Sequence, residues 1–430
     1  MQLIVHRGTK EIGGSCVELI SKNSRILIDF GMPLVNSSQE PFDSKALYGK
    51  SIDELKTLKI LPDIKGLYEG EKQKIEAILL SHSHLDHYGF MRYINKDIPV
   101  YLSRGAQELI QVSNIFTPNS IGSFNAQIIG HLKTFQIGNF TITPYLVDHS
   151  AFDAYAFLIE SEGKRLFYSG DFRAHGRKNI LFKRMLKNPP KDIDCLLMEG
   201  TMMGRGNQLY ENETAVENKI KDVLEEHKNI TFLFASSQNI DRIVSAYRAC
   251  LKTDSIFVIN LYTAFILDKL KAVSTGIPQF DWKNIRVYFL HAHANKIAEF
   301  VSVKLLYKYN QQRIKFPEIN QKKNNILMLT GKNSFFPIIL KNINNFKGAK
   351  IIYSMWEGYL DDKFRQYCKE QGLTIEQIHT SGHATVEDLK VFAKALNPKT
   401  LIPIHTFESK KYPAIFKNVK VLKDGEEFKI

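Results

Sequence analysis

The chain has few cysteines and no long apolar run, and each shortage argues against a class of protein. Its four cysteines lie far apart and form no CxxC pair, which argues against a zinc finger or a disulfide framework. No segment approaches the roughly 18 consecutive apolar residues that a membrane-spanning helix needs. The first residues, MQLIVHRGTK, lack the apolar core of a secretory signal. We therefore predict a cytoplasmic protein without a membrane partner.

Positive charge, in contrast, is in excess. Lysine and arginine number 58 against 45 acidic residues, which gives a formal net charge of +13. Residues 164–191 hold nine basic residues against Asp171 alone, and residues 301–325 hold six against Glu318 alone. Such a charge favours polyanionic partners. A basic, solvated surface would have the same composition, so charge by itself only permits a nucleic-acid partner.

Internal repeats and linker-like tracts are also missing, so the fold is predicted from short apolar runs. Those before residue 200 are rich in β-branched and aromatic residues and end at turn formers, which is typical of strands. The predicted strands are RILIDF, EAILLS, PVYLS, FTITPYLV, AYAFLIE, RLFYSG and DCLLME.

After Glu199 the pattern changes to strands that alternate with helices, which predicts parallel βαβ units and a second α/β domain. The strands are ITFLFAS, SIFVIN, IRVYFL, NILMLTG and KIIYSM, and the helical patterns are IDRIVSAYRACL, TAFILDKLKAV and HANKIAEFVSVKLL. Thr214 and Glu217 predict a capping box that opens a helix to about His227. We place the domains at 1–205, 206–373 and 374–430. The last of these contains a helix, VEDLKVFAKAL, a strand, TLIPIHTF, and a hairpin at Asp424-Gly425.

The run Ser81-His82-Ser83-His84-Leu85-Asp86-His87 carries the strongest chemical signal. His82 and His84 are two residues apart in extended backbone, so both imidazoles point the same way and can hold one metal ion. Asp86 and His87, at the following turn, can face a second ion. Nitrogen and oxygen ligands without cysteine suit Zn²⁺, with Mn²⁺ or Fe²⁺ as alternatives.

This HxHxDH run resembles the metallo-β-lactamase superfamily, and the remaining motifs of that family follow in order. The resemblance implies an α/β chain with the αββα metallo-β-lactamase fold and two bound zinc ions. By that resemblance His82, His84 and His149 hold one ion, Asp86, His87 and His405 hold the other, and Asp171 bridges both. Asp29, which ends RILIDF, would support the ligands from behind.

Three further positions resemble motifs of the β-CASP nucleases, the branch that acts on nucleic acids. Glu199, His383 and His405 match its motifs A, B and C, and 183 residues separate the first two. The resemblance therefore implies an inserted α/β β-CASP domain between them, with ribonuclease J and the pre-mRNA 3′-end cleavage endonuclease as similar proteins. Motif A reads Glu-Gly-Thr, where those relatives usually have Glu-Ser-Thr.

The chemistry implied is hydrolysis of RNA, most simply single-stranded, by water that two zinc ions activate, leaving 5′-phosphate and 3′-hydroxyl ends. Asp86 would accept the proton of that water, and His383, oriented by Glu199, would protonate the leaving oxygen. A predicted RNA-binding set combines a strand-to-helix loop with the neighbours of His383. It comprises Ser236, Ser237, Asn239, Arg242, Gly382 and Ala384. Plain helix capping would explain the loop residues equally well. His291 and His293 form a second HxH that we interpret as structural.

Three other functions compete with this interpretation. A DNA-processing nuclease of the Artemis-like repair branch shares the ligand set, but Glu199 and His405 favour the RNA branch. A glyoxalase II-like thioester hydrolase shares HxHxDH and leaves His383 unexplained. A non-catalytic RNA-binding pseudo-nuclease would be expected to have lost ligands, and all seven are present. The oligomeric state, the preferred RNA and the choice between endonuclease and 5′-exonuclease stay open.

Overall fold

A computed structural model of the chain describes residues 1–36, 40–206, 210–331 and 334–430. These residues form two compact units. The first comprises Met1–Ala174, Lys178–Gly206 and Gly382–Ile430, and the second comprises His175–Arg177 and Asn207–Ser381. The second unit extends beyond our proposed edge at residue 373, because the next strand along the chain belongs to its sheet.

The first unit contains two sheets, with elements numbered along the chain. The strands are β1 Gln2–Arg7, β2 Cys16–Ser21, β3 Ser24–Ile28, β4 Ala77–Leu79, β5 Pro99–Leu102, β6 Asn125–Ile128, β7 Phe135–Ile137, β8 Phe140–Leu146, β9 Tyr155–Ser161, β10 Lys164–Tyr168, β11 Cys195–Glu199, β19 Thr400–Ile404 and β20 Glu427–Lys429. One sheet has the order β20-β1-β2-β3-β4-β5-β6 and the other has the order β19-β11-β10-β9-β8-β7. All seven strands predicted in this part of the chain are present.

Helices cover the outer face of each sheet. They are α1 Ile52–Thr57, α2 Leu85–Tyr88, α3 Arg104–Phe116, α4 Asn179–Lys187 and α13 Val386–Leu396. Alternation along β3 shows how the layers form, since Ile26 and Ile28 join the core between the sheets while Leu27 joins the core beneath α1 and α3. Met185 of α4 and Phe392 of α13 close the opposite layer. The predicted αββα arrangement is therefore confirmed.

The second unit is built on one parallel sheet with the order β15-β14-β13-β16-β12-β17-β18. Its strands are β12 Thr231–Phe234, β13 Ile256–Asn260, β14 Ile285–Tyr288, β15 Arg313–Ile314, β16 Ile326–Thr330, β17 Lys350–Tyr353 and β18 Thr374–Gln377. Its helices are α5 Glu213–Glu226, α6 Ile240–Lys252, α7 Leu261–Leu270, α8 His291–Phe300, α9 Val303–Asn310, α10 Phe316–Lys322, α11 Phe336–Lys341 and α12 Asp362–Glu370. Short 3₁₀ turns in the two units cover Ser44–Leu47, Met91–Tyr93, Lys323–Asn325, Glu357–Tyr359 and Ser409–Ala414. The parallel α/β texture predicted for this region is confirmed.

Two helix predictions are corrected by the structure. The predicted capping box of α5 does not form, because the Asn212 side chain accepts hydrogen bonds from the amides of Thr214 and Ala215 at 3.0 and 2.9 Å. The pattern HANKIAEFVSVKLL contains two helices. The backbone of Val301 leaves the helical region at φ −127° and ψ −84°, and Ser302 then caps α9.

The predicted C-terminal hairpin is also corrected. The chain turns at Asp424-Gly425, but β20 pairs antiparallel with β1 at the far end of the sequence. Thr9 donates from its amide and its hydroxyl to Asp424 and holds this turn. Within the described residues, no helix combines the length and the apolarity needed to cross a bilayer.

Candidate metal centre

The predicted ligands lie in the first unit, where they follow the ends of strands from both sheets. Strands β8, β10, β11 and β19 share one direction, so their carboxyl ends meet at one edge. The run from His82 to His87 follows β4 in the other sheet. Rigid strands therefore deliver the polar side chains to one place, which is how α/β folds support chemistry.

Three imidazoles form the first cluster, His82, His84 and His149, whose ligand atoms lie within 4.8 Å of one another. The Nδ1 of His149 donates to the Gly382 carbonyl, which leaves its Nε2 facing Nδ1 of His84 at 3.3 Å. Burial lowers the pKa of His82 and of His149, and it lowers the pKa of His84 to about 4. All three rings are therefore neutral at neutral pH, with lone pairs available to a cation.

Asp86, His87 and His405 form the second cluster. The Nδ1 of His87 donates to Asp29 at 2.8 Å, so Nε2 is the nitrogen that remains for a ligand. The Nε2 of His405 lies 3.2 Å from a carboxylate oxygen of Asp86. Burial alone would raise the pKa of Asp86, but the adjacent His87 and His405 lower it to about 2. Asp86 is therefore an ionised carboxylate.

Asp171 lies between the two clusters. Its Oδ2 is 3.8 Å from Nε2 of His82 and 3.2 Å from Nε2 of His87, and its Oδ1 is 3.6 Å from Nδ1 of His405. Burial opposes its ionisation, yet His405 and His87 hold its pKa well below the ordinary value. It thus contacts members of both clusters, the position expected of a bridging ligand.

Three of these atoms show that the site fits a metal. His82 Nε2, His87 Nε2 and Asp171 Oδ2 are buried, and none makes a hydrogen bond of acceptable geometry within the described residues. Buried polar atoms without partners are costly and rare. Cations held by the two clusters would satisfy all three, and the imidazole and carboxylate donors suit Zn²⁺, Mn²⁺ or Fe²⁺.

The carboxylate of Asp29 holds the ligand loop in place. It accepts hydrogen bonds from the amide and hydroxyl of Ser81 at 2.7 and 2.8 Å, from His87, and from the hydroxyl of Tyr168 at 2.6 Å. Asp29 itself has a left-handed backbone, with φ of 58°. The sequence analysis missed Ser81 and Tyr168, and only the position of Ser81 inside the ligand run could have indicated its role.

Thr201 is a further missed residue. Its hydroxyl lies 2.9 Å from Nδ1 of His405, so it orients the ring and leaves Nε2 facing Asp86. The Glu-Gly-Thr motif could have predicted the role of Thr201, because a hydroxyl two residues after a strand-end carboxylate can reach the end of a neighbouring strand.

Glu199 and His383 lie beside the clusters. The Nδ1 of His383 is 3.2 Å from Oε2 of Glu199 and 3.7 Å from Oδ2 of Asp171. The buried Glu199 is fixed by the amides of Phe172 and Thr201. Burial opposes a charge on His383, but the carboxylate of Glu199 raises its pKa above the ordinary value. Its side chain is 19% exposed, so a ligand can reach a ring that carries a proton.

The loop residues predicted to bind RNA lie in the second unit and are engaged in local contacts. Ser237 is 2.7 Å from the Thr263 hydroxyl, and Asn239 caps α6 by accepting from the amide of Arg242. Ser236 is exposed and accepts from the amide of Gln238. The guanidinium of Arg242 is fully buried and paired with Glu213 at 3.0 Å. This placement speaks against a phosphate contact by Arg242.

The neighbours of His383 pack against the ligand loops. A Cβ at Gly382 would lie 2.3 Å from the hydroxyl of Ser150, so only glycine fits there. Ala384 is buried in the core beneath α13. His291 and His293 belong to none of the groups in the described residues that could hold a metal.

Comparison with known proteins supports the family predicted from the sequence. Residues 65–229 match the beta-lactamase superfamily domain, and residues 372–412 match the zinc-dependent metallo-hydrolase RNA specificity domain. These matches confirm the predicted resemblance to the metallo-β-lactamase superfamily. Within this superfamily, the predicted resemblance to the ribonuclease J-like β-CASP branch is confirmed by the relatives described next.

The chain is 22% identical to ribonuclease J of Helicobacter pylori over 98% of its own length and 60% of that protein. It is 24% identical to ribonuclease J of Mycoplasma genitalium over 93% of its own length and 66% of that protein. It is also 24% identical to transcription termination factor FttA of Methanothermobacter thermautotrophicus over 91% of its own length and 64% of that protein. The chain thus spans about 60 to 66% of the length of these relatives.

A crystal structure of a protein of unknown function from Enterococcus faecalis has the same fold. The TM-score is 0.80 at 22% identity, and 99% of each chain is covered.

Proposed function

We propose that this protein is a ribonuclease that binds two zinc ions and hydrolyses single-stranded RNA to leave 5′-phosphate and 3′-hydroxyl ends. The observation that carries the proposal is the Glu199–His383 pair beside the ligand clusters. His383 and His405 both lie in the segment that matches an RNA specificity domain. The ribonuclease J relatives support the same substrate.

Two divalent ions, when bound, activate water and stabilise negative charge on phosphoryl oxygens. Asp86 accepts the proton of the attacking water, because its carboxylate is ionised and lies among the ligands of the second cluster. Asp29 and Thr201 keep His87 and His405 in fixed orientations.

His383 supplies the proton for the leaving group. Its Nδ1 faces Glu199, so a protonated ring presents its second N–H at Nε2 to the departing 3′ oxygen. Attack at phosphorus in line with this oxygen keeps the phosphate on the downstream fragment. The products therefore carry 5′-phosphate and 3′-hydroxyl ends.

The test is to incubate end-labelled single-stranded RNA, duplex RNA and matched DNA with zinc-loaded protein and to map the products. We expect the fastest cleavage of single-stranded RNA, and Asp171→Ala serves as the control for contaminating nucleases. Equal or faster DNA cleavage would favour a DNA-processing nuclease. Products with a 3′-phosphate or cyclic phosphate would refute the assigned chemistry. RNA binding without cleavage would indicate a pseudo-nuclease.

A further inference from the structure

The second unit carries an exposed apolar surface on helices α8 and α9 that none of the assignments above uses. Tyr307 is 73% exposed, the most of any large apolar side chain among the described residues, and Phe300 is 59% exposed. Val301 and Val303 are also exposed. We call these four residues and Lys304 the α9 platform. Clustered apolar side chains in solvent indicate a binding surface more often than isolated ones do.

Helix α9 holds this surface in a defined orientation. Tyr307 shares a face with Val303 and Lys304, because residues three and four positions apart are neighbours on a helix. On the opposite face Tyr309 is buried, and its hydroxyl donates to Asp268 at 3.2 Å. The exposed ring of Tyr307 therefore belongs to an anchored helix.

The chain is basic after Phe300, and the exposed Glu299 directly precedes that residue. Residues 301–325 contain six basic residues and only Glu318 as an acid. Glu318 is paired with Lys322 at 3.2 Å, and Lys308 is paired with Asp268 at 2.7 Å. Lys304 and Lys315 are exposed and form no ion pair within the described part of the chain. The platform thus combines flat apolar rings with Lys304, which has no acidic partner within the described residues.

We propose that the α9 platform binds single-stranded RNA, with bases stacked on Tyr307 and Phe300 and a phosphate held by Lys304. Unpaired bases expose π-faces and carry one negative charge each, which matches both features of the surface. A duplex would hide its bases from the rings. A protein partner would use the apolar area but would gain less from the uncompensated lysines. The inference rests on the proposed function and adds to it a second RNA-contacting surface.

The test measures binding of single-stranded RNA of about 10 and about 30 nucleotides to the full chain, in a His383→Ala background that should cleave RNA about a hundredfold or more slowly. Tyr307→Ala should weaken binding of the longer RNA about tenfold, since loss of one stacked base has an effect of this order. Tyr307→Phe should bind the longer RNA as tightly as the parent, whereas Tyr307→Leu, which keeps apolar area without a ring, should bind it more weakly.

Lys304→Ala tests the phosphate contact and should reduce the slope of log Kd against log salt concentration by about 0.7. Tyr48→Ala, at a tyrosine of the first unit that is 55% exposed, is the matched control and should have no effect.

Two outcomes would overturn the proposal. In one, Tyr307→Ala and Phe300→Ala both bind the longer RNA as tightly as the parent. In the other, Tyr307→Leu binds like the parent while Tyr307→Ala lowers the molecular mass measured by light scattering, which would make the platform an interface with a second copy. If the wild-type protein cleaves no RNA, the proposed function fails, and the binding ratios still decide for or against the platform.

Discussion

His87 and His405, whose Nε2 atoms face Asp171 and Asp86, each have Nδ1 already engaged. Nδ1 of His87 donates to Asp29, and Nδ1 of His405 contacts Thr201. These contacts decide which nitrogen remains for a ligand before any cation arrives, and they spare the site part of the cost of ordering its donors. Mutation of a predicted ligand and mutation of a residue that orients it should therefore have different effects on metal binding and catalysis.

His383 and Asp171 should separate proton transfer from metal binding. His383→Ala should retain both metals but lose about a hundredfold or more in rate, because it removes the proton donor to the leaving oxygen. Asp171→Ala should lose metal, because its carboxylate contacts both clusters. Elemental analysis and single-turnover cleavage measure the two effects. Loss of metal in His383→Ala, or an unchanged rate, would disprove its role.

Thr201 should affect metal affinity without being a ligand. Thr201→Val removes the hydroxyl that contacts Nδ1 of His405 and leaves that buried nitrogen without its partner. Loss of such a contact behind a ligand typically weakens metal binding about 10 to 100-fold. Competition with a chelating dye gives the affinity, and Thr201→Ser should bind like the parent. Equal affinities for the valine and serine variants would contradict this role.

Local sequence predicted the strands and most helices but not their long-range partners. The strands RILIDF and DCLLME could be recognised because short apolar runs between turn formers have few other structures. The pairing of β20 with β1 could not, because it joins residues 2–4 to residues 427–429. The burial of Arg242 could not be predicted either, because its partner Glu213 belongs to another helix, 29 residues away along the chain.

The candidate metal centre was more predictable than the rest for a physical reason. Four of the predicted ligands lie within the single run from His82 to His87, so the sequence showed their chemistry directly. Thr201 contacts His405 and Tyr168 contacts Asp29 only through the packing of separate strands, so their roles emerge in three dimensions. The exposure of Tyr307 could not be predicted, because a helical pattern in the sequence does not show whether another part of the protein covers a given face of the helix.

The start of α5 tests a place where sequence and structure disagree. Asn212→Ala should lower the free energy of unfolding of the second unit by about 1 kcal/mol, because the Asn212 side chain caps the helix. For a unit of this size that corresponds to a fall in Tm of about 2 to 4 °C. Thr214→Ala, at the exposed position predicted to be the cap, should change Tm little. If calorimetry showed the larger fall in Tm for Thr214→Ala, the result would support the predicted capping box instead.

The two units have separate apolar cores, and the candidate ligands all lie in the first unit. Removal of metal should therefore destabilise one part of the molecule. Without a cation, Nε2 of His82, Nε2 of His87 and Oδ2 of Asp171 are buried and form no hydrogen bond of acceptable geometry within the described part of the chain.

Chelation should lower the unfolding temperature of the first unit and leave that of the second unchanged. A ligand present at about a thousand times its Kd stabilises the folded state by about 4 kcal/mol. That corresponds to a fall of about 8 to 16 °C in Tm for a domain of this size. Differential scanning calorimetry with and without a strong chelator measures the shift. Asp171→Ala, which should already lack metal, is the control and should respond weakly. A chelator that moves neither transition in metal-loaded protein, or both equally, would show that the cation does not stabilise the first unit in this way.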